Sequence, residues 1–166
     1  MIIGHLPAGY LAATAAVDRF PVTDRRRLLG AALAASVAPD LDLLYFYTLG
    51  GDIHHHAFPT HWPLLWLAMG GIGLAVAAVI RSRAVALSVA FATGAALLHI
   101  ALDSIAGEVR WGAPFSDAST TLVEIPVRFD WWVWNMLLHW TFAVEAAITV
   151  AALVVLWHRR ARRTAQ

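Results

Sequence analysis

Two long apolar runs are separated by only three residues, and this spacing constrains the fold more than any other feature. The runs cover residues 62–80 and 84–102, with Arg81, Ser82 and Arg83 between them. A helix needs about twenty apolar residues to cross a bilayer. The two runs therefore predict an antiparallel pair of membrane-spanning helices. Hydrophobic residues make up 60% of the chain, and a mean hydropathy of +0.64 exceeds that of ordinary soluble domains.

Three further segments complete the predicted bundle. Residues 1–17 are apolar and form a short or tilted first helix, and residues 136–157 form the last span. Residues 28–49 are long enough to cross, but Pro39 interrupts them. Residues 103–135 contain several Gly and Pro breakers and are expected to form a surface loop. The sequence thus predicts an all-α fold, a single membrane-embedded domain over residues 1–166 with about five apolar helices.

The arginines indicate how the bundle is oriented. Five alternating spans place ten of the twelve basic residues on one side, which the positive-inside rule assigns to the cytoplasm. The amino terminus is then outside and the carboxyl terminus inside. The same threading places seven of the eight histidines, several carboxylates and most tryptophans at the opposite face.

His99 and Asp103 form the first candidate pair at that outer face. They are four residues apart on a predicted helix, so their side chains lie on one face and can bind one ion together. Ionisable residues within a membrane span are costly and indicate a functional site. The alternative is that the two side chains only hydrogen-bond each other and steady the helix end.

Asp40 and Asp42 follow the proline that interrupts the second span. Pro39 removes a backbone donor, so the helix can open there and direct both carboxylates into one cavity. Two close carboxylates repel each other unless a cation lies between them. An ordinary polar helix end is the alternative interpretation, above all for Asp42.

The remaining candidates are histidines and two arginines. His5, His139, His61 and the run His54 to His56 are candidate ligands, and Thr60 is expected to orient one of them. His5 alone is equally compatible with a core histidine. Arg110 and Arg128 are candidates for binding a substrate phosphate, although surface salt bridges are the commoner outcome.

The absence of cysteine restricts the chemistry. A metal must be held by nitrogen and oxygen ligands, which suits zinc, or otherwise manganese or iron. A zinc ion with an open position lowers the pKa of its water to about 7 and so supports hydrolysis.

Four short motifs occur in an order that resembles a known family. They are Gly4-His5, then Pro39-Asp40-Leu41-Asp42, then His56 with Thr60-His61, then His99 with Asp103, followed by Trp111 and Pro114-Phe115-Ser116. This pattern resembles the bacterial membrane-bound metal-dependent hydrolases, some of which are LexA-regulated inner-membrane proteins. The resemblance covers the chain to about Ser116, and it selects His56 from the run because only His56 stands five residues before His61.

The resemblance implies a function and a location. That family is grouped with the helical zinc-dependent phospholipases C and single-strand-specific nucleases, which hold three zinc ions and cleave phosphodiesters. It implies a multi-pass protein of the bacterial inner membrane that holds one to three zinc ions and hydrolyses a phosphoester or phospholipid-like substrate, with membrane lipid as its partner. The implied catalytic residues are Asp40, His99 and Asp103. The implied metal ligands are His5, Asp40, Asp42, His56, His61, His99 and Asp103. His139 is a further candidate ligand by its position alone.

This chain departs from the soluble enzymes at two points. Those enzymes use an amino-terminal tryptophan as a ligand, whereas this chain begins Met1-Ile2. They also carry a later His-x-x-x-Glu motif, whereas Ala143 stands four residues after His139 and Glu145 stands six after it.

Two hypotheses from other classes compete with hydrolysis. A haem-binding protein would use His99 and His139 as axial ligands. A transporter would need polar residues along several spans, and residues 62–80 contain none. A net charge of +1 gives no reason to expect a nucleic-acid partner.

Overall fold

The computed structural model describes residues 1, 3–49 and 55–164, apart from the side chains at positions 46, 49, 55 and 163. This part of the chain is helical and contains no extended strand. The α-helices are α1 (His5–Arg19), α2 (Arg25–Ala35), α3 (Asp42–Leu49), α4 (Pro63–Val79), α5 (Arg83–Asp103), α6 (Trp132–Leu137) and α7 (Thr141–Thr164). Short 3₁₀ turns lie at Pro39–Leu41, His55–Ala57 and Pro59–His61.

The helical pair predicted from the two apolar runs is present as α4 and α5. A short turn joins the two helices; Arg81 adopts a positive φ of 52° there, and the Ser82 side chain accepts a hydrogen bond from the N–H of Val85 to cap α5. A Cβ added at Gly70 would lie 2.6 Å from Thr93 Oγ1, so the glycine allows the two helices to pack closely.

The second predicted span is bent. Helix α2 ends at Ala35, and the segment Pro39–Tyr45 leaves its axis by 47°. Pro39 explains the break, because it cannot donate the backbone hydrogen bond that a continuous helix needs. The bend brings Asp40 and Asp42 to the end of the helical bundle.

The structure supports a membrane protein with fewer clear spans than the expected five. Helices α5 and α7 are long and apolar enough to cross a bilayer, and the bent pair would make a third span. The 15-residue α1 and the 17-residue α4 extend over only about 22 and 26 Å, shorter than a hydrocarbon core of about 30 Å. The last helix begins at Thr141 rather than at residue 136.

Small residues allow α1, α2 and α5 to pack against one another. Their contact is formed by a buried cluster that consists of alanines: Ala13, Ala32, Ala35, Ala95 and Ala96. Gly9 belongs to the same interface, since a Cβ there would lie 2.5 Å from Ser36 Cβ. This close packing fixes the start of α1 beside the end of α5.

Candidate metal centre

Six titratable side chains from five elements of the fold converge at one end of the helices. His5 begins α1, Asp40 lies in the turn after α2, and His99 and Asp103 end α5. His56 and His61 lie in the two 3₁₀ turns that precede α4. Together these residues supply three overlapping groups whose nitrogen and oxygen atoms could hold a metal ion. We call His5, Asp40, His56, His61, His99 and Asp103 the His/Asp cluster.

Asp103 lies at the centre of the cluster. Its Oδ1 is 3.0 Å from His5 Nε2, and its Oδ2 is 3.0 Å from His99 Nε2. The Nε2 atoms of His61 and His56 are 3.6 and 3.7 Å from the same Oδ2. One carboxylate is therefore shared by imidazoles from α1, α5 and both turns.

Asp40 is the second carboxylate of the cluster and its most exposed member. Its Oδ1 is 3.5 Å from His99 Nε2 and 3.7 Å from His61 Nε2. The Asp40 side chain is 29% exposed, whereas those of His99 and Asp103 are buried. Solvent therefore approaches the cluster past Asp40.

Hydrogen bonds outside the cluster fix how two of the imidazoles face it. His99 Nδ1 is 2.8 Å from the carbonyl oxygen of Ser36, which can only accept. His61 Nδ1 is likewise 2.9 Å from Asp42 Oδ2. Both Nδ1 atoms therefore carry the proton, and in the neutral rings the Nε2 lone pairs face Asp40 and Asp103. Partners of this kind orient the histidines of metal sites.

Several ligand-type atoms inside the cluster are buried without a hydrogen bond. Among the described residues, no hydrogen bond is made by His5 Nε2, His99 Nε2 or Asp103 Oδ2. Lone pairs 3.0 Å from carboxylate oxygens repel unless a positive charge lies between them. Two atoms bound to one zinc ion at about 2.0–2.1 Å with tetrahedral geometry are about 3.4 Å apart, which matches these separations of 3.0–3.7 Å. The donor set therefore fits a divalent ion.

The electrostatics of His61 agree with an anionic site. Burial by itself lowers the pKa of His61, but the carboxylates of Asp40 and Asp42 outweigh this effect and raise the pKa above its usual value. His61 lies in a turn outside the candidate spans. The surroundings thus favour a positive charge at this point.

Polar contacts hold the turn that carries His61. Thr60 Oγ1 donates to Asp42 Oδ2 at 2.7 Å, in keeping with the orienting role predicted for this threonine. Trp66 Nε1 donates to the carbonyl oxygen of Thr60 at 2.7 Å. Hydrogen bonds therefore hold the turn to the Asp42 carboxylate of α3 and to Trp66 in the first turns of α4.

Gly107 makes room for His56. A Cβ at this position would lie 2.4 Å from His56 Cε1 and 2.8 Å from its Nδ1. A side chain at position 107 would displace the imidazole. Glycine is therefore needed for His56 to lie this close to the backbone.

Three features of the site were not found by sequence reasoning. The carbonyl of Ser36 and the amino group of Met1, which lies 2.6 Å from Asp103 Oδ1, are backbone groups without a sequence signal. Glu145 is buried in α7, and its Oε2 accepts from the N–H groups of Ile3 and Gly4 at 2.7 and 3.1 Å. An acidic residue in an otherwise apolar span was the signal that could have found Glu145.

Some residues expected at the site lie outside the cluster. Among the described residues, Asp42 belongs to none of the candidate groups, and it contacts the cluster through His61. His139 belongs to none of the candidate groups among the described residues, and its Nδ1 is 3.0 Å from Thr141 Oγ1. Arg110 pairs with Asp117 at 3.0 Å, and Arg128 is exposed. The candidate His54 and the side chain of His55 lie outside the described residues.

The fold and the cluster together define a helical membrane protein with a buried group of histidines and carboxylates that could bind a metal ion. Residues 1–163 match the family described as YdjM inner membrane protein, so the chain belongs to this family. The match covers nearly the whole chain, including the last helix, which the motifs noted in the sequence did not reach. Neither a curated protein nor a solved structure matches the chain.

Proposed function

We propose that the chain is a membrane-bound, metal-dependent hydrolase whose active site is the His/Asp cluster. The observation that carries the proposal is the buried contact between His99 Nε2 and Asp103 Oδ2, two atoms 3.0 Å apart that make no hydrogen bond with any described residue. A divalent cation satisfies both atoms at once. Zinc suits a set of imidazoles and carboxylates without thiolates, and manganese or iron are the other candidates.

The three overlapping groups are compatible with one to three ions. His61, His99 and Asp103 each belong to two of these groups, while His5, His56 and Asp40 each belong to one. Asp42 would act through His61, because its carboxylate accepts from His61 Nδ1 and directs Nε2 to the cluster.

A bound divalent ion would supply Lewis acidity and activate water for attack on an ester. The chain's own residues would prepare that reaction. Asp40, the more exposed carboxylate of the cluster, would accept a proton from a water that enters beside it. His99 and Asp103 would bind the ion from the buried side of the cluster. His5 and the packed helices exclude solvent on that side.

The proposed substrate is a phosphoester or lipid-like ester at the outer membrane face. The cluster lies where α5, a candidate span, ends, and this supports a position near one membrane interface. The exposed tryptophans 131, 132, 134 and 140 precede α7, whose Glu145 contacts Ile3 and Gly4 next to His5. Exposed tryptophans are typical of a membrane interface. The arginines at the other ends of the helices favour an orientation in the inner membrane with the amino terminus outside and the carboxyl terminus in the cytoplasm.

The competing haem hypothesis requires His99 and His139 as a pair of axial ligands. His99 Nε2 is directed at two carboxylates, which a haem iron does not need. No contact among the described residues favours that second function over a metal-dependent hydrolase.

Elemental analysis of detergent-purified protein tests the metal site. We expect at least one divalent ion per wild-type chain, loss of that ion in His99→Ala, and full retention in the matched control His139→Ala. Equal metal content in the wild type and His99→Ala would refute the metal site. A metal-loaded wild type that cleaves no member of a panel of phosphodiesters and phospholipids would refute hydrolysis and leave the metal site standing.

A further inference from the structure

A second polar cavity lies at the end of the helices opposite to the His/Asp cluster. It has a volume of about 750 Å³, and its lining comes from α1, α2 and α7. Asp18 of the lining lies thirteen positions after His5 on α1, a distance of about 20 Å along the helix. The cavity is therefore a separate site. Its lining residues are Asp18, Arg25, Val155, His158, Arg159 and Arg162.

The lining has an excess of positive charge. Asp18 is its single acidic residue, and it pairs with Arg25 through Oδ1 at 3.0 Å and with Arg159 through Oδ2. Arg162 has no acidic partner in the described part of the chain. Three guanidinium groups therefore face one carboxylate, which leaves an excess of two positive charges around an open cavity.

Asp18 also holds the arginines in place. It accepts from guanidinium groups of two different helices and so draws Arg25 and Arg159 to the same side of the cavity. Arg162 is three residues after Arg159 on α7 and lies on the same helix face. Converging guanidinium forks of this kind bind phosphate through paired hydrogen bonds.

Exposed aromatic side chains next to the cavity favour a position at the depth of lipid headgroups. Trp157 lies on α7 between Val155 and His158 of the lining and is 66% exposed, and Phe20 follows α1 and is 61% exposed. Exposed aromatic residues beside arginines are typical of a membrane interface. A basic pocket between helices at that depth is a recognised form of anionic lipid site.

We propose that the cavity lined by Asp18, Arg25, Arg159 and Arg162 binds the phosphate group of an anionic phospholipid in the leaflet opposite to the His/Asp cluster. The ligand chemistry is a headgroup of net negative charge whose phosphate oxyanion is held by guanidinium groups, whereas the choline cation of phosphatidylcholine cancels that charge. The bound lipid would connect α1, α2 and α7 at this end, where Asp18 already joins them. This site is independent of the proposed hydrolysis and of the metal.

A titration of the full-length protein in a neutral detergent tests the proposal. The probes are short-chain phosphatidylglycerol, short-chain phosphatidylcholine and inorganic phosphate, and binding is measured from the rise in melting temperature. We expect phosphatidylglycerol to stabilise the wild type and phosphatidylcholine to have little effect. Arg162→Gln should weaken the affinity for phosphatidylglycerol about fivefold, the effect of about one lost basic contact.

Arg160→Gln is the matched control, because Arg160 is exposed on the same helix and does not line the cavity. It should bind phosphatidylglycerol as the wild type does. Stabilisation by inorganic phosphate that competes with the lipid would identify a site for any phosphate oxyanion, and no effect of phosphate would identify the lipid headgroup as the source. Equal weakening by Arg160→Gln and Arg162→Gln would overturn the proposal, as would equal stabilisation by the two lipids.

Discussion

Asp42 Oδ2 and His61 Nδ1 lie 2.9 Å apart, and this contact sets the direction of an imidazole whose other nitrogen faces the cluster. The carboxylate also accepts from Thr60 Oγ1. Asp42 was expected among the ligands, but it belongs to none of the candidate groups of the described residues and contacts His61 instead. Its role in the proposed centre is therefore to position His61.

Replacement of Asp42 by asparagine tests that positioning role. Asp42→Asn removes the negative charge behind His61 with little change in volume, so we expect the affinity for the metal to fall about 10- to 100-fold. Competition with a chelator of known affinity measures the change. The control is Asp117→Asn, because Asp117 is exposed and pairs with Arg110. A positioning role for Asp42 would be ruled out if the two variants bound metal equally well.

Gly107→Ala is expected to displace His56. The added methyl group would lie 2.4 Å from the imidazole, so the ring must move and its Nε2 must leave Asp103. We expect at least about tenfold weaker metal binding, again measured by chelator competition. Gly71→Ala is the control, since nothing lies within 4 Å of its Cβ position. Wild-type affinity in the Gly107→Ala variant would show that His56 is not needed for metal binding.

Glu145→Ala is expected to destabilise the protein. The change leaves the buried N–H of Gly4 without its acceptor and also releases Ile3. A buried donor that loses its partner costs about 1–3 kcal/mol. Denaturation of the purified protein in mixed micelles measures the free energy of unfolding. Glu124→Ala, at an exposed position, should change it little, and a similar loss in both variants would contradict this assignment.

Removal of the metal should lower the melting temperature of the wild type. A ligand that binds only the folded state stabilises it by about 4 kcal/mol when its concentration is about 1,000 times its Kd. Treatment with a chelator should remove this contribution, and added zinc should restore it. His99→Ala provides the reference, because a protein that already lacks the ion should not respond. A chelator effect of the same size in both proteins would indicate a cause other than the cluster.

The sequence predicted the helical pair and the opposing polar ends because these depend on local patterns. The runs before and after Ser82 are uninterrupted, and the i, i+4 spacing of His99 and Asp103 needs only a helix to bring them together. Pro39 likewise predicted the break in the second span. These features depend only on residues that are close together in the sequence.

The number of spans and the contacts made by backbone groups could not be predicted in the same way. Apolar composition extends beyond the helix ends, so α1 and α4 are shorter than their apolar runs suggested. The roles of the Ser36 carbonyl and of Glu145 depend on how α2 and α7 approach residues more than 60 positions away. Such approaches are set by the packing of small residues such as Gly9 against Ser36.

The position of Asp103 in the cluster also bears on how the chain is cross-linked. This carboxylate meets imidazoles from the first helix, the 3₁₀ turns and α5, which are up to 98 residues apart in the sequence. The chain has no cysteine and therefore no covalent bridge between these parts. A cation bound there would cross-link these parts of the chain, as a disulfide does in other proteins. Metal starvation, rather than reducing conditions, would remove this cross-link.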